Sequence, residues 1–287
     1  MEPARGGQRQ RHGRRGGQAA APRGSGGSAM GGAAGSGGTG GGTPNCNTQP
    51  SGTVTKTIKQ LWTDDPTTAT AVWVPNVVVT AISGGGCVFG TRCQLMVQQD
   101  VTYASFAAGA QNALRVDVAD TYAGLFAAAV VGSRVDVYGW AWRHTNDGLN
   151  ELLIEVSAAH PGCAKVVGSA SPTPITVQLT DLTQQAYETT HGPLLVRVEA
   201  VSGKPGQPNE TFALWKQGQF SDAGVEAVVS VSPFYLSGYQ FSGLTTDLIH
   251  NFTSVTGVFG LFVPTSSSPK YKQLLIRTMA DAPFGGQ

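Results

Sequence analysis

"AISGGGCVFGTRCQLMVQQ", residues 81–99, sets Cys87 and Cys93 either side of a short Gly-rich loop, with an apolar strand pattern before and after it. The frame returns as "AVSGKPGQPNETFALWKQ", residues 200–217. Ala81, Ser83, Gly84, Leu95 and Gln98 recur as Ala200, Ser202, Gly203, Leu214 and Gln217 at a constant offset. A fixed offset is the mark of a repeated structural unit. The match continues in both directions. "TVTKTIKQL" at 53–61 answers "ITVQLTDLT" at 175–183, Val137 and Gly139 answer Val255 and Gly257, and "ELLIEV" at 151–156 answers "QLLIRT" at 273–278. Collinear blocks of this kind predict two homologous units.

The units are β-rich. Segments 53–59, 72–82, 133–142, 151–156, 174–180, 194–201, 227–236 and 271–278 are dense in Val, Ile, Thr and aromatics. Several alternate with period two, and Gly, Pro, Asn and Asp cluster between them. Only the Ala-rich 103–114 reads as helical. Within each unit a long strand ends in Ser-Gly, and a hairpin loop leads to a strand carrying Leu-x-x-Gln. A variable connection, a strand closing on glycine, a hairpin and a last aliphatic strand follow.

That plan of five short strands, with "GSRVDVYG" at 132–139 and its degenerate copy "FTSVTGVFG" at 252–260, resembles the OB-like domains of secreted bacterial lipoproteins and those accompanying extracellular nucleases. The resemblance covers roughly residues 50–280 and implies an all-β chain of two tandem five-stranded OB-like barrels. The expected boundaries are 1–45 for a disordered Gly/Arg-rich leader, 46–170 for the first unit and 171–287 for the second. The Gly/Ser-rich stretch ending in "TPNC" also resembles the spacers that follow lipoprotein signals, although no lipobox precedes Cys46.

The leader distorts the composition. Residues 1–45 contain 16 of the 39 glycines and six of the 19 basic residues against one acid, Glu2. Such a segment buries too little apolar surface to offset its ordering entropy. The rest of the chain holds 13 basic and 17 acidic residues, a net charge of about −4 at neutral pH. An acidic body disfavours nucleic acid as a partner. The Arg/Gly-rich arm "RGGQRQRHGRRGG" is the one feature pointing the other way, and it has no aromatic to stack on bases.

Cys46, Cys87, Cys93 and Cys163 all belong to the first unit. Their spacing lacks the paired C-x2-C of zinc sites and the C-x-x-C of thioredoxin-like chemistry. Of three possible pairings, 87–93 with 46–163 combines a local staple and a bridge that closes the unit, and it is the favoured one. An even count of bridged cysteines in a loop-rich β protein implies an oxidising, extracytoplasmic compartment. The start as written shows no secretory pattern, since no apolar stretch follows the basic residues. The expectation is therefore a misread or missing leader, with a cytoplasmic protein of four free thiols as the alternative. The apolar run 71–82 is far too short to span a bilayer and contains Pro75 and Asn76.

No catalytic constellation, metal set or cofactor motif is recognisable. His12, His144, His160, His191 and His250 form no ligand doublet. Asp64, Asp65 and Asp147 read as turn residues, and Asp120, Asp136, Glu151 and Glu155 are scattered over strands without a partner base. The best binding feature is the alternation Tyr138, Trp140, Trp142 in "VYGWAWRH", which puts three aromatics on one strand face. Trp215 is the candidate in the second unit. That face is either a stacking platform or packed core. "NET" at 209–211 and "NFT" at 251–253 match glycosylation acceptors. The expectation is a non-catalytic binding or structural module of the bacterial cell envelope whose ligand the sequence does not name, an envelope glycan or protein being the candidates. The alternatives are a single-strand nucleic-acid binder using the arginine arm, or an accessory protein of an extracellular hydrolase.

Overall fold

The structure, a computed structural model, describes residues 44–83, 86–99, 112–145, 149–205, 212–216, 229–232, 250–262, 271–277 and 279–281. It is built almost entirely of strands. In the first unit these are β1 (Val54–Thr55), β2 (Thr70–Ile82), β3 (Cys93–Gln99), β4 (Ala113–Val118), β5 (Ser133–His144), β6 (Glu151–Val156) and β7 (Cys163–Ser169). In the second they are β8 (Ile175–Thr176), β9 (Leu195–Pro205), β10 (Phe212–Lys216), β11 (Val229–Ser232), β12 (His250–Phe262) and β13 (Tyr271–Leu275).

The first unit is a closed five-stranded barrel. Strands pair in the order β2-β3-β4-β6-β5, and β5 returns to pair with β2. All contacts in the ring are antiparallel except β4 with β6. Closure depends on β2 bending far enough to pair on both sides. The bend is at Pro75-Asn76, where the β2/β5 register skips and Asn76 takes a positive φ of 60°. A bulge of this kind admits a proline inside a strand and increases local twist. Asn76 N–H, freed from the ladder, donates to Asp136 Oδ1 at 2.9 Å.

Alternate residues fill the barrel: Val74, Val77 and Val79 of β2, Leu95 and Val97 of β3, Leu114 and Val116 of β4, Val135 and Val137 of β5, Leu152 and Ile154 of β6. One mouth is plugged by helix α1 (Ile58–Asp64) through Ile58, Leu61 and Trp62, and Trp62 Nε1 donates to the Ala113 carbonyl at 3.1 Å. The other is plugged by a 3-10 helix over Asp120–Phe126 through Ala123 and Phe126.

The expected strand at 53–59 is corrected to the two-residue β1 followed by the start of α1. A capping box stops the strand: Thr57 Oγ1 accepts from Gln60 N–H, and Gln60 Oε1 accepts from Thr57 N–H. The expected helix at 103–114 falls mostly outside the described residues, and its last two positions, Ala113 and Leu114, begin strand β4. In 174–180 only Ile175–Thr176 is strand, and a 3-10 turn follows at Leu179–Asp181.

The two cysteine pairs are bridged as the spacing favours. Cys46–Cys163 joins residues 117 apart in sequence, with Cα atoms at 5.9 Å, and Cys87–Cys93 closes the β2–β3 loop, with Cα atoms at 5.3 Å. The long bridge lies against Trp73 and Tyr138 on the outside of the barrel.

The second unit is a six-stranded sheet in the order β10-β11-β13-β12-β9-β8, in which β9 pairs with β10 as well. The repeat is visible in the pairings. Short strand β8 runs parallel to β9 as β1 does to β2, and β11 runs parallel to β13 as β4 does to β6. Gly139 and Gly257, matched in sequence, occupy matched places. An added Cβ at Gly139 would meet Ile154 Cγ2 at 2.4 Å, and one at Gly257 would meet Leu274 Cβ at 3.2 Å.

The units share one compact body, Gly42–Gln287. Gln98 Oε1 of β3 accepts the Leu195 N–H of β9 at 2.6 Å, and Met96 packs with Leu195, Val258 and Leu275. Tyr187 of the second unit donates to Glu151 Oε1 of β6 at 2.5 Å, while Arg115 of β4 pairs with Glu151 Oε2 at 2.7 Å.

Candidate functional site

Because β5 sends Val135, Val137 and Ala141 inward, Tyr138, Trp140, Trp142 and His144 face outward. The aromatic stripe is therefore not barrel interior. On neighbouring β6 the outward residues are Glu151, Leu153 and Glu155, and on β4 they are Ala113, Arg115 and Asp117. Register sets Trp140 opposite Glu155 and Trp142 opposite Leu153 on β6, and Leu153 opposite Arg115 on β4.

This face is the floor of a groove of about 860 Å3. Arg115, Asp117, Leu153 and Glu155 form the floor. Gly90, Thr91 and Arg92 of the Cys87–Cys93 loop make one wall, and His144, Leu149 and Leu261 of β12 border it elsewhere. The volume lies within the range of small-molecule sites.

The charges are arranged in pairs. Arg92 reaches Asp117 with both Nε and a terminal nitrogen, the Nε contact at 2.9 Å. This carboxylate holds the Arg92 guanidinium still more firmly protonated than usual. Glu155 accepts from Trp142 Nε1 at 3.2 Å, and His160 Nδ1 lies 3.2 Å from its other oxygen. Burial by itself raises the Glu155 pKa, but the neighbouring His160, Ser157 and Trp142 donors outweigh it and hold the carboxyl below the usual glutamate range. Asp117 and Glu155, opposite one another across β4 and β6, thus have separate cationic or donor partners.

Trp140 and Trp142 are half-buried. His160 lies between them, 5.2 Å from the Trp140 ring and 6.3 Å from that of Trp142, and His144 makes an edge contact with Trp142 at 5.2 Å. Together they form a shelf beside the groove, joined to it through the Trp142–Glu155 hydrogen bond. Tyr138 is taken off the open surface. It is buried with Cys46, Trp73 and Cys163, and burial pushes its hydroxyl pKa up. The side chain of Trp215 lies outside the described residues, as does "NET" at 209–211.

Spacing alone did not reveal Arg92, Arg115 or Asp117. The signal was present in "ALRVDV", residues 113–118, where Arg115 and Asp117 alternate with Leu114, Val116 and Val118. Of the two expected turn residues, Asp65 ends α1 with φ 44° and pairs with Arg143, whereas Asp64 is the last residue of the helix itself and pairs with Lys56 at 2.8 Å. Register sets Glu151 opposite His144, while Asp136 lies further back along β5, accepting from Asn76 N–H. Among the described residues no three His, Cys, Asp or Glu side chains group as a metal site, and no helix is long and apolar enough to cross a membrane.

No protein-family model matches the chain, and no curated protein matches it. A solved structure described as "Structural mimicry for functional antagonism" is similar over 75% of this chain and 95% of its own, at 10% identity and a TM-score of 0.30. That likeness is too shallow to carry fold or function.

Proposed function

We propose that the body is a non-catalytic, extracytoplasmic binding module made of two OB-like units, and that its groove takes a glycan of the cell envelope. One observation carries the reading: a groove with paired charges on its floor, Arg92–Asp117 and Glu155 with its donors, runs beside the Trp140–Trp142 shelf. Sugar rings offer apolar C–H faces that stack on indole and hydroxyls that bridge fixed donors and acceptors.

The OB-like reading rests on the closed ring of the first unit and on the repeated pairings of the second, where β9 meets both β10 and β12. The two disulfides support an oxidising compartment.

The test is a tryptophan-fluorescence titration with soluble N-acetylhexosamine oligosaccharides. Saturable quenching or a blue shift that disappears in Trp142→Ala supports the proposal. A flat response to sugars, together with binding of single-stranded DNA that weakens steeply with salt, assigns the protein to the nucleic-acid class instead.

A further inference from the structure

Among the described residues, exposed large apolar side chains collect at one end of the first barrel. Seven large hydrophobic residues are exposed among the described ones: Val54, Val88, Phe89, Val130, Val131, Val166 and Val167. All but Val54 lie at or towards the mouth plugged by the 3-10 helix. Phe89 and Val88 form the tip of the disulfide-closed loop and are 74% and 63% exposed. Gly90 N–H donates to the Asp120 carbonyl at 3.1 Å, which ties that loop to the 3-10 helix. Val130 and Val131 sit on the turn leaving that helix. Gly132, next in the chain, donates to Val79 and accepts from Ala170 N–H, so the turn lies beside the end of β7. Val166 and Val167 are on that strand, close to its pairing with Ser133 and Arg134.

Two further observations say what such an end meets. Gln98, Ala113 and Glu151 hold the second unit from the opposite ends of their strands, while Arg277 donates to the Thr80 carbonyl and Ala81 packs with Leu195, Val258 and Leu275 near the end of β2; with these contacts made, Phe89, Val88, Val130 and Val131 are still exposed. The described chain also begins here: Pro44 shares a recess with Leu125 of the 3-10 helix and Val166. The 43 residues that precede Pro44 carry six arginines and one acid. A cationic arm is thus joined to the body beside its apolar end. We infer that this end is a docking surface for an anionic lipid bilayer, in which Phe89, Val88, Val130 and Val131 enter the headgroup boundary while the arginine arm neutralises lipid charge. Two such signals together are what stable peripheral attachment requires, since either alone is marginal. The disulfide holds Phe89 in place before contact, which lowers the ordering cost of insertion.

The test is flotation of the full-length chain with phosphatidylcholine vesicles, with and without phosphatidylglycerol. The expected result is flotation with the anionic vesicles, reduced by salt and by neutral vesicles. Phe89→Asp and, separately, Val131→Asp should each cut the partition coefficient about tenfold or more, the scale set by burying one such side chain. Both positions are exposed, so near-ultraviolet circular dichroism should match the parent. Three outcomes overturn the inference: the chain stays in the aqueous fraction, both substitutions leave flotation unchanged, or light scattering shows a dimer that Phe89→Asp dissociates. The last would give this end to a second copy of the chain.

Discussion

Gly139 shows how a single atom matters where two strands change partners. Up to Tyr138, β5 pairs with β7, and from Trp140 it pairs with β6. At the crossing point the backbones close in, and a methyl group on Gly139 would overlap Ile154 Cγ2. Gly139→Ala is expected to cost about 1–3 kcal/mol in urea unfolding. Gly168, with no atom within 4 Å of an added Cβ, is the control, and Gly168→Ala should leave the midpoint near that of the parent. His191 offers a second residue-scale prediction. It is buried edge-on to Phe259, and burial holds its folded-state pKa below the ordinary 6.5. Between the two values the unfolded chain binds more protons than the native one, so stability is full above pH about 6.5 and falls as pH drops below it. Urea midpoints measured from neutral to mildly acidic pH should show that fall, and His191→Gln should flatten it. The aromatic stripe was legible at this scale in its alternation. Its division into covered Tyr138 and half-open Trp140 and Trp142 was not, because it depends on a bridge to Cys46, remote in sequence.

Among the elements, the long strands were readable because their interiors demand alternation. Those missed had competing signals. Strand β4 was masked by the Ala-rich run before it, and β7 is a short edge strand with exposed Val166 and Val167. "TVTKTI" alternates as a strand should, yet its second half obeys Thr57-x-x-Gln60 and enters α1. That local capping box outweighs the alternation, because it satisfies two end N–H groups that a strand would have to pair elsewhere. Thr57→Ala should therefore destabilise the body by about 0.5–2 kcal/mol, measurable by thermal or urea unfolding. The groove floor was legible only in part. Glu155 was visible as a strand acid without a partner, but its donors come from two other segments, β5 and the turn after β6.

For the whole molecule, the repeat foretold duplicated pairings but not how the copies meet. That junction turns on polar residues whose value is invisible in sequence. Glu151 is almost fully buried and holds Arg115 of its own barrel and Tyr187 of the second unit at once. Removing one partner of a buried charge leaves the other uncompensated. Glu151→Ala is expected to cost about 3–5 kcal/mol. It should also split a single unfolding transition into two, since it loosens the seam between the units. One coincident transition by fluorescence and far-ultraviolet circular dichroism in that variant would overturn this account of the seam.

The Cys46–Cys163 bridge makes the first barrel a bypass for mechanical load. Tension applied through the N-terminal segment reaches the body at Cys46 and passes straight across the sulfurs to β7. The intervening strands β1 to β6 then carry none of it. Under stretching, a chain held at both termini would lengthen only through the parts outside the bridge. Reduction would release the 117-residue loop, roughly 400 Å of further contour. A protein tethered at its N-terminus to a moving or swelling surface would thus keep its groove-bearing barrel folded while its outer segments absorb the strain.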